Sequence, residues 1–540
     1  MHRRIPLLLG AAVASLALAV PPAAASAATA SPASQAGGDH DRGRGGDRGH
    51  DPGTGRADTR DLTRWAADTW ASLDAMTDPR TGLAADHIDA GLETPSEYTS
   101  PTNIGGYLWS TVAARDAGII STREARERMR ATLDSLEVME RHEPSGQFYN
   151  WYSPTTREKL TEWPGSGDPL HPFLSTVDNG WLAASLRIVA AADRKLERQA
   201  TGLYRSMDFS WFHDLEGREG KNLNRGGFWV EQPGETCAEP GNYGDDGPDV
   251  YYTCHWYDTT VSEARIATYI GIANGQIPAS AYYTTYRTMP DQGCDFGWQE
   301  QKPEGETRTY RTGRGETVET YEGTYAYDGM RLVPAWGGSM FEALMPDLLV
   351  PEADWGKRSW AANHEATVRA QIHHGLDEAG YGYWGFSPSS NPEGGYREYG
   401  VESIGISSDG YGSDVEKTDV DLGYEGCREA ANPEPDFGDG VVTPHAAFLA
   451  LPYEKRAAID NLRRIETELG AYGKGGFLDA ATTSSGQLAQ VHLSLDQSMI
   501  MAAISNELSR DALKGYFVDR AFERTVRPLV AQQRFGTRLR

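Results

Sequence analysis

The stretch Leu182-Ala183-Ala184-Ser185-Leu186 lies inside a helical pattern over residues 178–192 that is apolar on almost every side. Two further stretches share this property, Ile104-Gly105-Gly106-Tyr107-Leu108 and Ala267-Thr268-Tyr269-Ile270-Gly271-Ile272-Ala273. Other helical patterns, such as Arg123 to Arg141 and Tyr453 to Glu468, carry charge along one face. A helix that is apolar all round is buried, whereas a helix with one charged face lies at the surface.

Buried and surface helical patterns alternate about six times along the chain. The patterns cover residues 61–76, 102–117, 122–140, 178–192, 194–207, 259–274, 336–348, 356–373, 442–450, 453–468, 495–508 and 510–532. This alternation predicts an all-α fold, an (α/α)6 barrel with an inner and an outer ring of helices. Long segments rich in glycine and aromatic residues precede the inner helices, at 141–177, 208–257, 291–335, 374–441 and 469–494. They gather on one rim, where functional loops are expected.

The N-terminus has the pattern of an export signal. His2, Arg3 and Arg4 precede an apolar run from Ile5 to Val20, and Ala25-Ser26-Ala27 supplies the small residues that a signal peptidase needs. A membrane anchor is the alternative, but the apolar run is short for a bilayer. We predict a secreted protein with a signal peptide over 1–27, cleaved near Ala27.

Residues 28–60 contain almost no large apolar side chain. Such a segment cannot bury enough surface to offset the entropy of ordering, so we predict a disordered linker. The remaining residues, 61–540, are predicted to form one catalytic domain, because barrel folds exceed the usual domain size as single units.

The formal net charge of −26 at pH 7 restricts the partners. Nucleic acids and anionic membranes bind basic surfaces, so neither is an expected partner. The charge also disfavours strongly anionic substrates, which leaves neutral oligo- or polysaccharides. The oligomeric state is not determined by the sequence.

Four cysteines occur, Cys237, Cys254, Cys294 and Cys427. An exported chain permits disulfides, and an even number suits two bridges. We prefer Cys237–Cys254 and Cys294–Cys427 among three possible connectivities. A zinc site is the alternative, but no CxxC pair is present.

Aromatic residues cluster with glycine between the helical patterns, as in Phe148-Tyr149-Asn150-Trp151-Tyr152 and the segment 381–386. Flat rings stack on the apolar faces of sugars, while polar neighbours bind the hydroxyl groups. Any one of these rings could equally pack in the core between helices. As a set beside carboxylates, the rings favour a sugar-lined cleft.

The starts of the inner helices resemble the glycoamylase-like family, which includes bacterial endo-β-1,2-glucanases and the processing domains of cyclic β-1,2-glucan synthases. The resemblance spans roughly residues 61–530. It is carried, in family order, by Thr99-Ser100-Pro101-Thr102-Asn103-Ile104-Gly105, Phe148-Tyr149-Asn150-Trp151-Tyr152, Ser175-Thr176-Val177-Asp178-Asn179-Gly180-Trp181-Leu182, Ala335-Trp336-Gly337-Gly338-Ser339-Met340-Phe341-Glu342, Thr443-Pro444-His445-Ala446-Ala447, Gly476-Phe477-Leu478-Asp479-Ala480 and Leu495-Asp496-Gln497. The resemblance implies the same barrel and hydrolysis of a neutral, β-1,2-linked glucan.

Glycosidic hydrolysis needs one carboxyl group to protonate the leaving oxygen and another to activate water or attack. Glu263 lies in an otherwise apolar helix start, where burial would raise its pKa, and the resemblance favours it as the general acid. Asp496 is the candidate general base, with Asp479 in reserve. Asp178 is a candidate for holding a hydroxyl group or the attacking water. Helix capping is an equal alternative for Asp178 and Asp496, and a favourable helix-end charge is the alternative for Glu263.

The predicted substrate-binding residues combine aromatic rings with polar partners. They are Tyr149, Trp151, Trp181, Trp336 and Trp384, with Asn103, Arg265 and Glu342. No cofactor or metal is predicted, and an acidic segment over 409–416 lacks the spacing of an EF-hand. A polysaccharide lyase and a non-catalytic glycan-binding protein on the same barrel are the alternative functions.

Overall fold

The computed structural model describes residues 52–288, 301–313, 315–406 and 437–540. The predicted signal peptide, Cys294, Cys427 and the acidic segment 409–416 lie outside these residues. The described helices, in chain order, are α1 Pro52–Ala75, α2 Pro101–Asp116, α3 Thr122–Val138, α4 Thr176–Ala192, α5 Glu197–Arg205, α6 Arg265–Asn274, α7 Ala281–Thr284, α8 Met340–Leu344, α9 Glu352–Trp355, α10 Trp360–His373, α11 Pro444–Leu449, α12 Leu451–Thr467, α13 Ser494–Ser509, α14 Ala512–Phe517 and α15 Arg520–Gln532.

The strands are short, apart from one hairpin. They are β1 His87–Asp89, β2 Arg141–His142, β3 Gln147–Phe148, β4 Phe173–Ser175, β5 His213–Asp214, β6 Leu223–Arg225, β7 Gly227–Trp229, β8 Ala238–Gly241, β9 Val250–Thr253, β10 Trp256–Tyr257, β11 Glu304–Gly313, β12 Glu316–Tyr327, β13 Met330–Leu332, β14 Ala335–Trp336, β15 Ser389–Ser390, β16 Tyr396–Arg397, β17 Gly405–Ile406, β18 Val441–Val442, β19 Tyr472–Gly473, β20 Gly476–Phe477, β21 Ala481–Thr482 and β22 Val491–Leu493.

Helices that are buried on almost every side form a closed inner ring. In this ring α2 packs on α4, α4 on α6, α8 on α11, α11 on α13, and α13 returns to α2. Hydrogen bonds from Arg265 at the start of α6 to the carbonyl oxygens of Glu342 and Ala343 join α6 to α8. The close packing of α2 on α4 depends on Gly105, because a β-carbon there would lie 3.0 Å from the carbonyl oxygen of Trp181.

A second set of helices covers the ring from outside. The pairs are α1 with α13, α3 with α2, α5 with α4, α15 with α6, α10 with α8, and α12 with α11. In α3 the buried residues Ala125, Met129 and Leu133 share one stripe, and the remaining faces are charged or exposed. The architecture is therefore a helical barrel, as the alternation of patterns predicts.

Short strands hold the N-termini of the inner helices at one rim. β4 leads into α4, β14 into α8, β18 into α11 and β22 into α13. Each pairs with a strand from another segment of the rim, such as β22 with β1 and β14 with β17. The loops rich in glycine and aromatic residues therefore meet at this rim, beside the helix N-termini.

Three sequence-based boundaries differ from the structure. The helix predicted over 259–274 begins only at Arg265, because Thr259 and Val261 form extended bridges with Tyr286 and Ala335. The pattern over 510–532 divides into α14 and α15. The first helix begins at Pro52, inside the segment predicted as linker.

The fold is not all-α, which corrects the prediction. Strands β11 and β12 form a long antiparallel hairpin inside the segment 291–335 that was predicted as a loop. Alternating threonine, tyrosine and valine favour this hairpin, as in Thr317-Val318-Glu319-Thr320-Tyr321. Its base is held by a fully buried ion pair between Arg287 and Glu322.

The predicted disulfide between Cys237 and Cys254 is present and joins the ends of the β8–β9 segment. Among the residues that the structure describes, no helix is both long and apolar enough to cross a bilayer.

Candidate active site

Four of the predicted site residues occupy the same position, the third residue of an inner helix. They are Asn103 in α2, Asp178 in α4, Glu342 in α8 and Asp496 in α13. In the first three helices a serine at the N-cap accepts the backbone N–H of this third residue. Asp178 and Asp496 are therefore not caps, and the capping alternative for both residues is wrong. The ring directs all four side chains to one rim.

Glu263 and Glu342 form a buried carboxyl pair where α6 meets α8. Oε2 of Glu342 accepts the backbone N–H of Glu263 at 2.6 Å. Burial, and then the charge of Glu342, raise the pKa of Glu263 well above its usual range. Burial raises the pKa of Glu342 to about 7. Glu263 is the more exposed member of the pair, so it is the carboxyl group that can meet a ligand.

The orientation of Glu263 is set by Trp181 in α4. The indole Nε1–H donates to Oε2 of Glu263 at 2.6 Å, and the Trp181 side chain is 1% exposed. An indole is only a donor, so the proton of a neutral Glu263 lies on Oε1. The structure therefore corrects the predicted role of Trp181, because this ring lies in the core and holds Glu263.

Asp479 and Asp496 form a second buried pair at the start of α13. The two carboxyl groups lie close enough to change each other's pKa, and they can hydrogen-bond to each other only when one of them is protonated. Burial and the charge of Asp496 raise the pKa of Asp479 well above its usual range. Burial raises the pKa of Asp496 to about 7, and the nearby charge of Asp86 acts in the same direction. The backbone N–H of Ser390 donates to Oδ2 of Asp479 at 2.7 Å.

His445 lies beside this pair as a neutral ring. Burial lowers its pKa to about 4. Its Nδ1 lies 2.8 Å from Oγ1 of Thr443 and 2.9 Å from Oδ2 of Asp496. The hydroxyl of Thr443 donates to the carbonyl oxygen of Asp479, so it can only accept from Nδ1–H. The imidazole hydrogen is thus committed to Thr443, which leaves the Asp496 carboxylate available as a base.

The two carboxyl pairs belong to one site. Tyr396 is half-buried, and desolvation, followed by the charges of Asp496, Glu398, Asp479 and Glu263, raises its pKa well above the usual range. It therefore lies within electrostatic reach of both pairs. One pair lies where α6 meets α8 and the other at the start of α13, so both lie at the helix N-termini on the same rim.

A further tyrosine extends the site toward α4. Burial raises the pKa of Tyr257 well above its usual range, and the charges of Glu263, Asp178 and Glu342 raise it further. The Asp178 carboxylate accepts from the Thr102 hydroxyl at 2.7 Å and from the Asn150 amide at 3.0 Å. These donors fix Asp178 at the rim.

Asn103 lies at the rim between α2 and α13. Its amide donates to Oδ1 of Asp86 at 2.9 Å. The backbone N–H of Ser494 donates to the carbonyl oxygen of Asp86, which places Asp86 beside the start of α13. Asp86 lies outside the predicted helical patterns, so it was not predicted as a site residue. Tyr257, Tyr396 and Glu398 were missed within glycine- and aromatic-rich segments whose composition favoured a cleft.

Trp151 lies at the rim in an aromatic cluster. Its ring makes an edge contact with Tyr98 at 5.4 Å and a tilted contact with Trp163 at 5.9 Å. Trp151 is half-buried, and the amide of its neighbour Asn150 binds Asp178. Trp151 is therefore the neighbour of a residue that binds Asp178, and its stacking on a sugar stays a prediction.

Several other predicted contact residues are structural. The Trp384 ring is 1% exposed in the core, and Tyr149 is buried with the ammonium of Lys159 4.3 Å from its ring centre. Arg265 is buried and forms an ion pair with Glu352, with 2.7 Å between its Nε and Oε1. These assignments to substrate binding are corrected, because each side chain is already enclosed by protein. Trp336 is half-buried in β14, and its backbone N–H donates to Val261.

One group of side chains in the described ranges has the spacing of metal ligands, Asp347, Glu352 and His364. Protein cations already neutralise it. Lys514 lies 3.4 Å from Asp347, and Arg265 pairs with Glu352. The group therefore lacks the open, anionic character of a cation site.

The fold and site define a helical-barrel protein with paired carboxyl groups at one rim. Residues 310–518 match the Glycoamylase family, described as "Putative glucoamylase", and residues 64–214 match DUF3131, a family of unknown function. The chain is 24% identical to the cyclic β-(1,2)-glucan synthase NdvB of Rhizobium meliloti over 554 residues, covering 85% of this chain and 18% of the relative. It thus spans less than a fifth of that relative.

Solved structures share the fold over most of the chain. A "putative glucoamylase" from Bacteroides uniformis has a TM-score of 0.61 at 15% identity, covering 87% of this chain and 97% of that one. An endo-β-1,2-glucanase from Chitinophaga pinensis, in complex with sophorotriose and glucose, has a TM-score of 0.57 at 16% identity, covering 87% and 98%. The resemblance to the glycoamylase-like family that the sequence predicts is confirmed.

Proposed function

We propose that this chain is a secreted glycoside hydrolase that cleaves a neutral, β-1,2-linked glucan by carboxyl acid/base chemistry. The observation that carries the proposal is the presence of two buried carboxyl clusters at one rim, both within electrostatic reach of Tyr396. One contains Glu263 and Glu342, and the other contains Asp479 and Asp496. Glycosidic hydrolysis requires two carboxyl groups in different protonation states on opposite sides of the scissile bond.

Glu263 is the proposed general acid. Its raised pKa keeps it protonated at neutral pH, and the hydrogen bond from Trp181 to Oε2 leaves the proton on Oε1. When a glycosidic oxygen lies at Oε1, this proton passes to the leaving oxygen as the bond breaks. The charge of Glu342 favours the protonated state of Glu263.

Asp496 is the proposed general base. Burial and the charge of Asp496 raise the pKa of Asp479, so in this proposal Asp479 carries a proton and donates it in a hydrogen bond to Asp496. The Asp496 carboxylate then accepts a proton from water as the water adds to the sugar. Asp178 is proposed to bind a sugar hydroxyl group, beside the ring of Trp151.

The substrate class is supported by the relatives and by charge. The Chitinophaga enzyme is an endo-β-1,2-glucanase, and NdvB is a cyclic β-(1,2)-glucan synthase. A chain with a net charge of −26 suits a neutral polymer. Secretion is supported by the leader-like N-terminus and the Cys237–Cys254 disulfide.

We further propose that the barrel is of the (α/α)6 type. The support is the closed ring α2–α4–α6–α8–α11–α13 and the outer helix that pairs with each member.

The test compares the mature protein with Glu263→Gln on linear β-1,2-, β-1,3-, β-1,4- and α-1,4-glucans, followed by release of reducing ends. Glu127→Gln on the exposed face of α3 is the matched control. We expect oligosaccharides from β-1,2-glucan with the parent and the control, and a loss of at least about a thousandfold in Glu263→Gln.

The alternative functions give different results. Products that absorb in the ultraviolet as unsaturated sugars would establish a lyase. Binding of β-1,2-glucan without cleavage by the folded parent would establish a non-catalytic glycan-binding protein. Either outcome would overturn the proposed hydrolysis.

A further inference from the structure

Arg265 ties together the two chain segments that carry Glu263 and Glu342. Its Nη1 donates to the carbonyl oxygen of Ser262 at 2.7 Å and to that of Glu342 at 2.8 Å. Its Nη2 donates to the carbonyl oxygen of Ala343 at 2.6 Å. One buried guanidinium thus holds the residue before Glu263 against the first turn of α8.

Glu352 binds the guanidinium group of Arg265 through both of its carboxylate oxygens. Its two oxygens accept from Nε and Nη2 of Arg265 at 2.7 and 2.9 Å, and the Glu352 side chain is fully buried. Oε1 also accepts from the hydroxyl of Tyr269 at 2.7 Å, and Oε2 lies 3.2 Å from Nε2 of His364. Burial opposes its ionisation, but Arg265 and His364 together outweigh burial and lower the pKa of Glu352 to about 2. The pair is therefore ionised.

We propose that Glu352 is a positioning residue, which acts through Arg265 to set the separation of Glu263 from Glu342 and the positive charge beneath them. The inference rests on the proposed function in taking Glu263 as the acid. Glu352 touches neither carboxyl group in any hydrogen bond of the described chain, so its effect passes through the guanidinium. Arg265 is the natural choice for this task, because its planar fork binds a carboxylate and several carbonyl oxygens at once.

Several charged and titratable groups surround the carboxyl groups of Glu263 and Glu352. Glu263 faces Glu342, Asp178, Tyr257, Tyr396 and Arg265. Glu352 faces Arg265, Tyr269, Tyr282, Asp347, His364 and Tyr453. Within these sets Arg265 is the shared cation. Changes to the ion pair therefore reach Glu263 and Glu342 through the charge on Arg265.

The experiment measures the ionisation midpoint of Glu263 directly. Protein carrying ¹³C at the glutamate carboxyl carbon is titrated by NMR, and the Glu263 resonance is identified by its absence in Glu263→Gln. This measurement needs no turnover, so it tests the inference even if no glucan is cleaved. Values of kcat and KM on the cleaved glucan are measured in parallel.

The two partners are expected to shift the midpoint in opposite directions. In Glu352→Gln the Arg265 charge is no longer neutralised, so the midpoint of Glu263 falls by about one pH unit. In Arg265→Met the cation is lost, so the midpoint rises by a similar amount, about one unit. Simple loosening would let water reach Glu263 in both variants and lower both midpoints. A fall in both would overturn the proposal.

Conservative variants separate charge from geometry. Arg265→Lys keeps the charge but cannot hold Glu352 and three carbonyl oxygens together. We expect an unchanged midpoint, a kcat lower by about tenfold and an unchanged KM. An unchanged kcat would contradict the positioning role.

Folding is controlled in two ways. The double variant Arg265→Met with Glu352→Gln leaves no unpaired buried charge, so it remains measurable if a single variant does not fold. Its midpoint is expected to lie between those of the two single variants and close to the parent's, because a pair with no net charge is removed. A midpoint shifted as far as that of either single variant would contradict the proposal. Arg287→Met with Glu322→Gln removes another fully buried ion pair, in the hairpin base, that is not among the groups that shift the pKa of Glu263, and it should leave the midpoint unchanged.

Discussion

The indole Nε1–H of Trp181 donates a 2.6 Å hydrogen bond to Oε2 of Glu263, from one inner helix to the start of the next. The ring itself is enclosed by the core and makes an edge contact with Trp109. A tryptophan expected to stack on a sugar is thus the group that orients the proposed acid. Trp181 therefore both packs in the core of the barrel and orients the proposed acid.

Replacing Trp181 by phenylalanine removes this donor. The hydrogen bond favours the ionised form of Glu263, so its loss raises the pKa of Glu263 further. We expect the high-pH limb of the kcat profile to move to higher pH, and kcat at the optimum to fall by about tenfold because the acid is less well oriented. Trp109→Phe also removes a buried donor, to the carbonyl oxygen of Ser498, and should leave the limb in place. A shift toward lower pH in Trp181→Phe would contradict the assignment.

Glu342→Gln should increase stability in a pH-dependent way. Burial raises the pKa of Glu342 from 4.5 to about 7, so folding is opposed by ionisation as the pH rises from about 4.5 to 7. The amide removes this penalty. We expect the Tm of the variant to exceed the parent's by about 2–4 °C at pH 8, with a smaller gain at pH 4.5. Thermal unfolding at both pH values checks this, and an equal gain at both would show that ionisation is not the cause.

Asp479 is expected to be replaceable by asparagine but not by leucine. The hydrogen bond from Asp479 lowers the pKa of Asp496, and an asparagine amide still provides a donor. In Asp479→Leu the donor is lost, so the low-pH limb of activity, which follows ionisation of Asp496, should rise by about one pH unit. The profiles of kcat against pH for both variants test this. A low-pH limb that moves equally in both would mean that the donor is unimportant.

Trp151→Ala is expected to weaken binding with little effect on the chemical step. The ring lies beside the Asp178 network but is not among the groups around Glu263 or Asp496. We expect KM to rise by about tenfold with kcat within a factor of about two, because stacking contributes on the order of 1 kcal/mol. Trp151→Phe should recover most of the loss. A fall in kcat at unchanged KM would place Trp151 in the chemistry instead.

Removal of the Cys237–Cys254 disulfide should destabilise the folded protein. The bridge closes a loop with a sequence separation of 17, for which the chain-entropy account gives about 3 kcal/mol. We expect Cys237→Ser with Cys254→Ser to lower the free energy of unfolding by about that amount in urea titrations. An unchanged midpoint would show that the β8–β9 segment is already held by its strand pairing.

Helix positions were predictable from local pattern. The spacing of apolar residues in the sequence predicts α2, α3, α4 and α12. This is possible because a helix buried on one face has apolar residues at helical spacing, and a helix buried on all faces is apolar throughout. The start of α6 was not predictable in this way. Thr259 and Val261 are apolar or small enough to continue the helix, but strand-like bridges to distant residues hold them extended.

The same distinction between local pattern and distant contacts applies to the site residues. Asp178 and Asp496 were chosen because they lie at the starts of apolar helices, and Glu342 was chosen as a polar substrate contact. The structure places all three at the third position of an inner helix. Trp384 and Arg265 were misassigned, because composition does not tell a ring or cation in the cleft from one in the core. Whether Arg265 meets a sugar or Glu352 depends on residues 87 positions apart in the chain.

The sequence by itself determined the alternation of helices, the rim that carries the loops, the favoured Cys237–Cys254 bridge and the family resemblance. Each of these depends on local spacing or on short motifs. Only the tertiary structure decided that Glu263 lies against Glu342, that Asp479 lies beside Asp496, and that Trp181 and Arg265 bind Glu263 and the residue before it. Ionisation and orientation depend on desolvation and on charges brought close by folding, and neither is encoded at a fixed distance along the chain.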